Sequence, residues 1–270
     1  MTSAIPRRGR EAVTIARRDF DAAIFDLDGV LTETAGLHAT AWKAVFDAFL
    51  QRRAKRQGVD FRQFDIQTDY LDYVDGRPRY DGVRTFLASR GIHLPEGSEH
   101  DPDDAETIHA MGERKTRLFR EALQRGIDPA PGAKGLLTSL REANIKTAVG
   151  SSSENCDAIL RATGLDHLVN IVVDGVDAER MGLPGKPDPA LFLEAARRLE
   201  VEPARAILFE DALAGVEAGR RGGFKRVIGV DATDRQPGAL RQHGADVVIG
   251  SLLQVEVVRA RPAALQGPMR

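Results

Sequence analysis

Four groups of residues stand where chemistry could be done, three of them at the end of an apolar run. Asp26, Asp28 and Gly29 follow AAIF at 22–25; Ser151, Ser152 and Ser153 follow TAVG at 147–150; Glu210 and Asp211 follow AILF at 206–209. Lys186 stands apart in the turn-rich segment GLPGKPDP at 182–189. Carboxylates gathered at one point repel one another and demand a cation. Ligands made only of oxygen favour a hard ion, and Mg²⁺ is the usual choice where phosphate oxygens complete its shell. A hydroxyl with free backbone N–H groups beyond a strand can hold phosphate oxygens, and Lys186 adds positive charge for the same phosphate. With metal and lysine cancelling the repulsion, a carboxylate can attack phosphorus. The set reads as phosphoryl transfer through an aspartyl phosphate.

Each piece has a plainer reading when taken alone. D-x-D-G after a strand is commonly a turn, three serines a loop, and a single lysine a solvated cation. Glu210-Asp211 could cap the next helix, whose N-terminus favours carboxylates. What unites them is position, because an open parallel sheet binds ligands beyond the carboxyl ends of its strands.

The elements that would carry the four groups are legible. A strand is predicted over 21–25. Beyond Gly29 the pattern turns helical, with Leu37, Ala41, Ala44, Val45 and Ala48 at three- and four-residue spacing. Residues 82–89 and 106–123 read as helices around a polar loop at 91–104. After 129–132 (PAPG) strands and helices alternate: helix 133–142, strand 146–149, helix 154–163, strand 171–173, helix 189–199, strand 206–209, helix 213–221, then strands 226–230 and 246–249. Buried apolar strands alternating with amphipathic helices predict an α/β fold. It is a doubly wound parallel sheet, a Rossmann-like core, with an inserted helical cap domain. The core takes 18–33 and 131–255, and the cap 34–130. Residues 1–17, rich in arginine, are expected to be a disordered basic leader, and 256–270 a frayed tail.

Composition narrows the class. The chain has 270 residues, of which 42% are hydrophobic and 29% charged, enough for a large core without staples. Thirty-eight basic against 40 acidic residues leave a charge of −2, which offers no field for nucleic acid or an anionic membrane. A single cysteine, Cys156, excludes a disulfide framework. No apolar run approaches a membrane helix, and the N-terminal segment lacks the apolar centre of a secretory signal. The expectation is a cytoplasmic protein with no nucleic-acid or membrane partner. A monomer is the default, since each cap can close over its own core.

The motifs in this order resemble the haloacid dehalogenase-like phosphotransferases: Asp26-Leu27-Asp28-Gly29-Val30, Ser151, Lys186-Pro187-Asp188-Pro189 and Glu210-Asp211. The helical insertion after the first motif is similar to the subclass with a helical cap. A closer resemblance is to the β-phosphoglucomutases. It lies in Thr34-Ala35 with His38, Ala41, Trp42 and Lys43, in Gly76-Arg77-Pro78-Arg79, in Arg114-Lys115, and in Ser153 and Asn155. One departure is Glu154, where that family carries a lysine beside the asparagine. Others are the added segments 52–65 and 91–104.

The resemblance implies roles. Asp26 would be the nucleophile, and Asp28 the general acid and base. Asp26, Asp28, Glu210 and Asp211 would hold Mg²⁺, Asp28 through its backbone carbonyl. Ser151, Ser152 and Lys186 would grip the transferring phosphoryl. Arg79, Ser153 and Asn155 would bind a second, remote phosphate. His38 and Lys115 would couple cap closure to substrate, and Trp42 would pack in the cap beside it. The activity implied is interconversion of β-glucose 1-phosphate and glucose 6-phosphate through an aspartyl phosphate and a bisphosphate. The alternative is a phosphatase acting on a sugar phosphate or another small phosphomonoester. A dehalogenase would need neither Asp28 nor the acidic pair.

Overall fold

The computed structural model describes residues 12–234 and 236–258. The chain opens with β1 (Val13–Ala16) and then forms β2 (Ala22–Phe25), every residue of which is buried. Four helices follow: α1 (Ala35–Gln57), α2 (Asp69–Tyr73), α3 (Arg79–Ser89) and α4 (Ile108–Leu123). Alternation then sets in, with α5 (Ala133–Glu142), β3 (Lys146–Gly150), α6 (Cys156–Thr163), β4 (Ile171–Val173), α7 (Gly175–Met181) and α8 (Ala190–Arg198). It closes with β5 (Ala206–Glu210), α9 (Leu213–Arg221), β6 (Arg226–Val230), α10 (Pro237–Gln242), β7 (Val247–Ile249) and β8 (Val255–Val258).

Six strands pair in parallel in the order β4-β3-β2-β5-β6-β7. The chain winds outward from β2 on one side and then on the other, so β2 with its neighbours β3 and β5 marks the switch point where such sheets bind ligands. Alternate side chains of β2 feed two cores. Ala23 and Phe25 pack with Leu136, Leu140 and Ile159 of α5 and α6. Ala22 and Ile24 pack with Phe192, Val216 and Leu240 of α8, α9 and α10. Phe25 stands level with Val149 of β3 and Phe209 of β5, on whose ring it stacks at 4.8 Å. That register puts the last residues of the three strands at one height.

Helices α1 to α4 and their loops form a cap with its own core. Phe46, Phe64 and Phe86 meet at its centre with ring separations of 4.2–5.0 Å. Arg90 ties Asp69 into this layer. The segment 52–65 extends α1 to Gln57, where Gly58 turns the chain in the left-handed region at φ 66°, and delivers Phe64 to the cap core. The 91–104 segment is a loop, pinned by a two-pronged contact of Arg84 with Glu96. None of the described helices is long and apolar enough to cross a membrane.

Two boundary expectations are corrected. Residues 13–16, placed in a disordered leader, form β1, and residues 255–258, mostly placed in a frayed tail, form β8. The two pair in parallel, Val13 level with Val255 and Ile15 with Val257. The reason is alternation: Val13 and Ile15 are buried against the α5 face while Thr14 faces solvent. Residues 1–11 and 259–270 lie outside the described residues. Ile15 is fully buried, so Ile15→Ala is expected to destabilise the protein by about 2–5 kcal/mol in urea unfolding. A loss below about 0.5 kcal/mol, the scale of a surface change, would contradict a structural role for β1.

Candidate active site

At the switch point the three strand ends deliver Asp26, Ser151 and the pair Glu210-Asp211. The Asp26 N–H donates to Phe209 O at 2.9 Å, and its Oδ2 accepts the Asp28 N–H at 2.9 Å. Its Oδ1 accepts from Lys186 Nζ at 2.6 Å. The same ammonium donates to Glu210 Oε1, while Glu210 Oε2 accepts the Ala212 N–H at 2.6 Å. Lys186 is 3% exposed and Glu210 not at all, so this is a buried ionic triad. Glycine at 215 makes room for it, since a Cβ there would stand 1.8 Å from Glu210 Oε1.

Burial sets the electrostatics. It pushes Asp26 up against the pull of Lys186, and the charges of Glu210 and Asp28 push the same way. Burial would lower Lys186, but Asp26 and Glu210 outweigh it and hold the ammonium charged. Burial raises Asp211 well above the ordinary range, reinforced by Asp75, Glu210 and Asp26.

Asp28 is treated differently by its surroundings. Its Oδ1 accepts from the Thr34 hydroxyl and lies 3.2 Å from His38 Nε2. Lys115 Nζ sits 2.7 Å from His38 Nδ1. With Lys115 on Nδ1, the other ring nitrogen, Nε2, faces Asp28. Burial opposes the Asp28 charge, but the His38 ring, the Thr34 hydroxyl and Lys115 prevail and hold it down to about 2. Lys115 itself is lowered by burial to about 8. Two cap helices, α1 and α4, thus reach across to one core carboxylate.

The Ser151 hydroxyl accepts the Ser153 N–H at 3.1 Å and faces the pocket. Two expectations of this loop change. The Ser151 N–H is engaged by Val173 O at 3.1 Å, so it is not free for phosphate. The Ser152 hydroxyl, expected on the transferring phosphoryl, donates at 3.2 Å to Gly76 O of the cap. Asn155 Oδ1 accepts from Arg120 of α4 at 3.0 Å.

Arg79 opens α3 and turns its guanidinium into the pocket. It donates to Thr116 Oγ1 at 2.7 Å and to the Tyr80 hydroxyl at 2.7 Å, and lies 3.0 Å from both Glu113 and Glu154. Its Nε is buried without a hydrogen-bond partner. Trp42 stacks on Phe46 at 5.1 Å and lies 5.3 Å from Lys115 Nζ, so it forms wall as well as cap core.

All these residues line one pocket: Asp26, Asp28, His38, Trp42, Arg79, Lys115, Ser151, Ser152, Ser153, Asn155, Lys186, Glu210 and Asp211. Its cavity is about 80 Å³, well below the roughly 300–1,000 Å³ that encloses a small organic ligand, so the cap is closed over it. Sequence reasoning missed Tyr70 and Asp75, which stand together on the cap side of the same pocket. Asp75 directly precedes the Gly76–Arg79 loop, but nothing in its spacing distinguishes it from a turn residue. Cys156 is buried in the α5 face, and burial pushes its thiol up, as befits a core residue.

Among the described residues no three histidine, cysteine or acidic side chains already form a ligand shell. Asp28 is turned to Thr34 and His38, and both Glu210 oxygens are engaged. Glu210, expected as a direct metal ligand, holds Lys186 in this structure, and Asp26 likewise has both oxygens engaged, by Lys186 and the Asp28 N–H. Asp26 and Asp211 both line the pocket. The walls still carry six carboxylates (Asp26, Asp28, Asp75, Glu154, Glu210, Asp211) against four cations (Arg77, Arg79, Lys115, Lys186). An oxygen-only donor set two charges short of neutrality fits a hard divalent cation.

The profile of the haloacid dehalogenase-like hydrolases matches residues 20–223. The chain belongs to that family. It is 48% identical over 237 residues to a β-phosphoglucomutase of Mycobacterium tuberculosis, covering 87% of this chain and 90% of the relative. A β-phosphoglucomutase of Bacillus subtilis is 33% identical, covering 84% and 88%. The crystal structure of a β-phosphoglucomutase from Clostridium difficile superposes with a TM-score of 0.67 at 26% identity, covering 87% of this chain and 92% of that one. This haloacid dehalogenase-like protein is an enzyme, a phosphotransferase or phosphatase of the superfamily.

Gly29 permits the approach of Asp211 to the first motif. Its φ is +85°, and a Cβ there would stand 2.0 Å from Asp211 Oδ2. Gly29→Ala is expected to lower kcat/KM about 100-fold by displacing that carboxylate, and to lower the melting temperature as well, because a Cβ is strained at φ +85°. Unchanged activity would show that Asp211 does not need its present position.

Proposed function

We propose that this enzyme moves a phosphoryl group between two oxygens of one sugar, converting β-glucose 1-phosphate to glucose 6-phosphate through a bisphosphate. The observation that carries this reading is Arg79. It gives the pocket a second cationic pole with partners distinct from those of Lys186. Hydrolysis of a monoester needs one phosphate site, whereas a mutase must hold a second phosphate while the first reacts.

The cycle starts from the aspartyl phosphate on Asp26. Asp28, ionised in its present surroundings, takes the proton of the sugar's free hydroxyl as that oxygen attacks the aspartyl phosphate, which gives the bisphosphate and frees Asp26. With the bisphosphate turned end for end, Asp26 Oδ attacks the other phosphorus, the P–O bond to the sugar oxygen breaks, Asp28 returns its proton to the departing oxygen, and the aspartyl phosphate is restored. Lys186 and the Ser151 hydroxyl hold the phosphoryl oxygens. His38 and Lys115 make Asp28 competent only when the cap is shut, and Arg79 with Ser153 and Asn155 anchors the far phosphate. Asp26, Asp211 and the Asp28 carbonyl would hold Mg²⁺, which lowers the Asp26 pKa and offsets the charge of the phosphoryl group. A closed pocket keeps water from the aspartyl phosphate.

The test is a pair of assays with Mg²⁺ and β-glucose 1-phosphate, one for glucose 6-phosphate and one for inorganic phosphate. A trace of the 1,6-bisphosphate primes the first. Isomerisation well ahead of phosphate release is expected, with Arg79→Ala losing it at least about 100-fold. Phosphate release without glucose 6-phosphate would establish the phosphatase instead. The Lys115 ammonium, lowered to about 8, is lost as pH rises through that value. An alkaline limb near pH 8 is therefore expected in kcat/KM, and Lys115→Arg, charged throughout, should abolish it while lowering the plateau. A limb that persists in that variant would assign the titration elsewhere.

A further inference from the structure

Within the protein itself the Arg79 guanidinium already has an anion. Glu154, on the core loop after β3, meets it with both oxygens: Nη1 donates to Oε2 at 3.1 Å and Nη2 lies 3.0 Å from Oε1. Glu113 also approaches Nη2, but it belongs to α4 of the cap and travels with Arg79. Glu154 is the carboxylate that spans cap and core.

We propose that Glu154 is a displaceable stand-in for the substrate's second phosphate, holding Arg79 until that phosphate evicts it. This rests on the reading of Arg79 as the far-phosphate anchor. The geometry favours exchange. A carboxylate bound by two parallel N–H groups presents two oxygens as a phosphate does. Arg79 keeps Nε buried and without a partner, one donor more than the carboxylate uses. The Glu154 side chain is 27% exposed, against 15% for Arg79, so the acid has the wider path to water.

The exchange gives the pocket a filter. A ligand with one phosphate, seated at Asp26 and Lys186, leaves Glu154 on Arg79 and the far pole neutralised. A ligand that brings a second dianion competes Glu154 away, and the acid must then turn out to escape repulsion. Glu154 therefore weakens binding at the far pole in every state: it latches the empty cap, and it repels the phosphate once displaced. Removing its charge acts in one direction throughout.

The experiment is calorimetric titration of glucose 1,6-bisphosphate, with Mg²⁺, into the full-length protein carrying Asp26→Asn to stop turnover. Glu154→Gln on that background is expected to tighten the dissociation constant about three- to thirty-fold. Glu154→Asp, too short to reach with both oxygens, should shift it the same way by less. Inorganic phosphate, bound at the Lys186 pole, should gain little. An unchanged or weaker constant in both Glu154 variants would overturn the proposal, because Glu154 would then be positioning Arg79 for the ligand. Arg79→Ala separates the two levels: if it leaves the constant unchanged, the reading of Arg79 as anchor has failed, whatever Glu154 does.

Discussion

A single buried ammonium makes this site possible. Asp26 and Glu210 could not share a dry corner unless Lys186 stood between them, 2.6 Å from Asp26 and bonded to both. The protein surrounds that triad with backbone and aromatic wall. The Ala212 N–H takes the remaining Glu210 oxygen, the Asp28 N–H takes the second Asp26 oxygen, and the Phe192 ring lies 4.7 Å from the ammonium. Every other feature follows from the charge that remains. Asp211 and Asp75 still face the same cavity, and Asp28 adds to the repulsion. A site in this condition is poised to take a cation and an anionic substrate together.

The sheet and the cap divide the task. Level strand ends fix the reacting carboxylate, the phosphoryl grip and the acidic pair on the central strands of the sheet. The cap supplies what must come and go: His38 and Lys115 on Asp28, Arg79 at the far pole, and the Gly76 carbonyl on Ser152. Closure therefore does two things at once. It shrinks the cavity, and it completes the environment that keeps Asp28 ionised.

Much of this was legible in the sequence because the elements with strong apolar periodicity are also the ones that carry the chemistry. β2, β5 and, beyond exposed Lys146, β3 are buried and read as apolar runs, and each leads directly into site residues. The helices that escaped notice lack that signal. α7 buries no residue at all, and α2 and α10 have five and six residues. β1 and β8 do alternate, but they are short and sit beside charged termini, so composition drew them into leader and tail. Side-chain partnerships were the least legible layer. Nothing in the spacing of Glu210 shows that it would hold Lys186, or that Ser152 would bridge to the cap. Tyr70 and Asp75 enter the pocket only because α2 and the loop before α3 fold back over the core.

The most direct measurement is the chemical fate of Asp26. The protein would be mixed with Mg²⁺ and the bisphosphate, quenched in acid within a turnover, and its peptides analysed by mass spectrometry. If the triad serves to make Asp26 a nucleophile, one phosphoryl group will be found on the peptide that carries Asp26, and none in Asp26→Asn. Turnover without a labelled peptide, or a label that persists in Asp26→Asn, would contradict an aspartyl phosphate at Asp26.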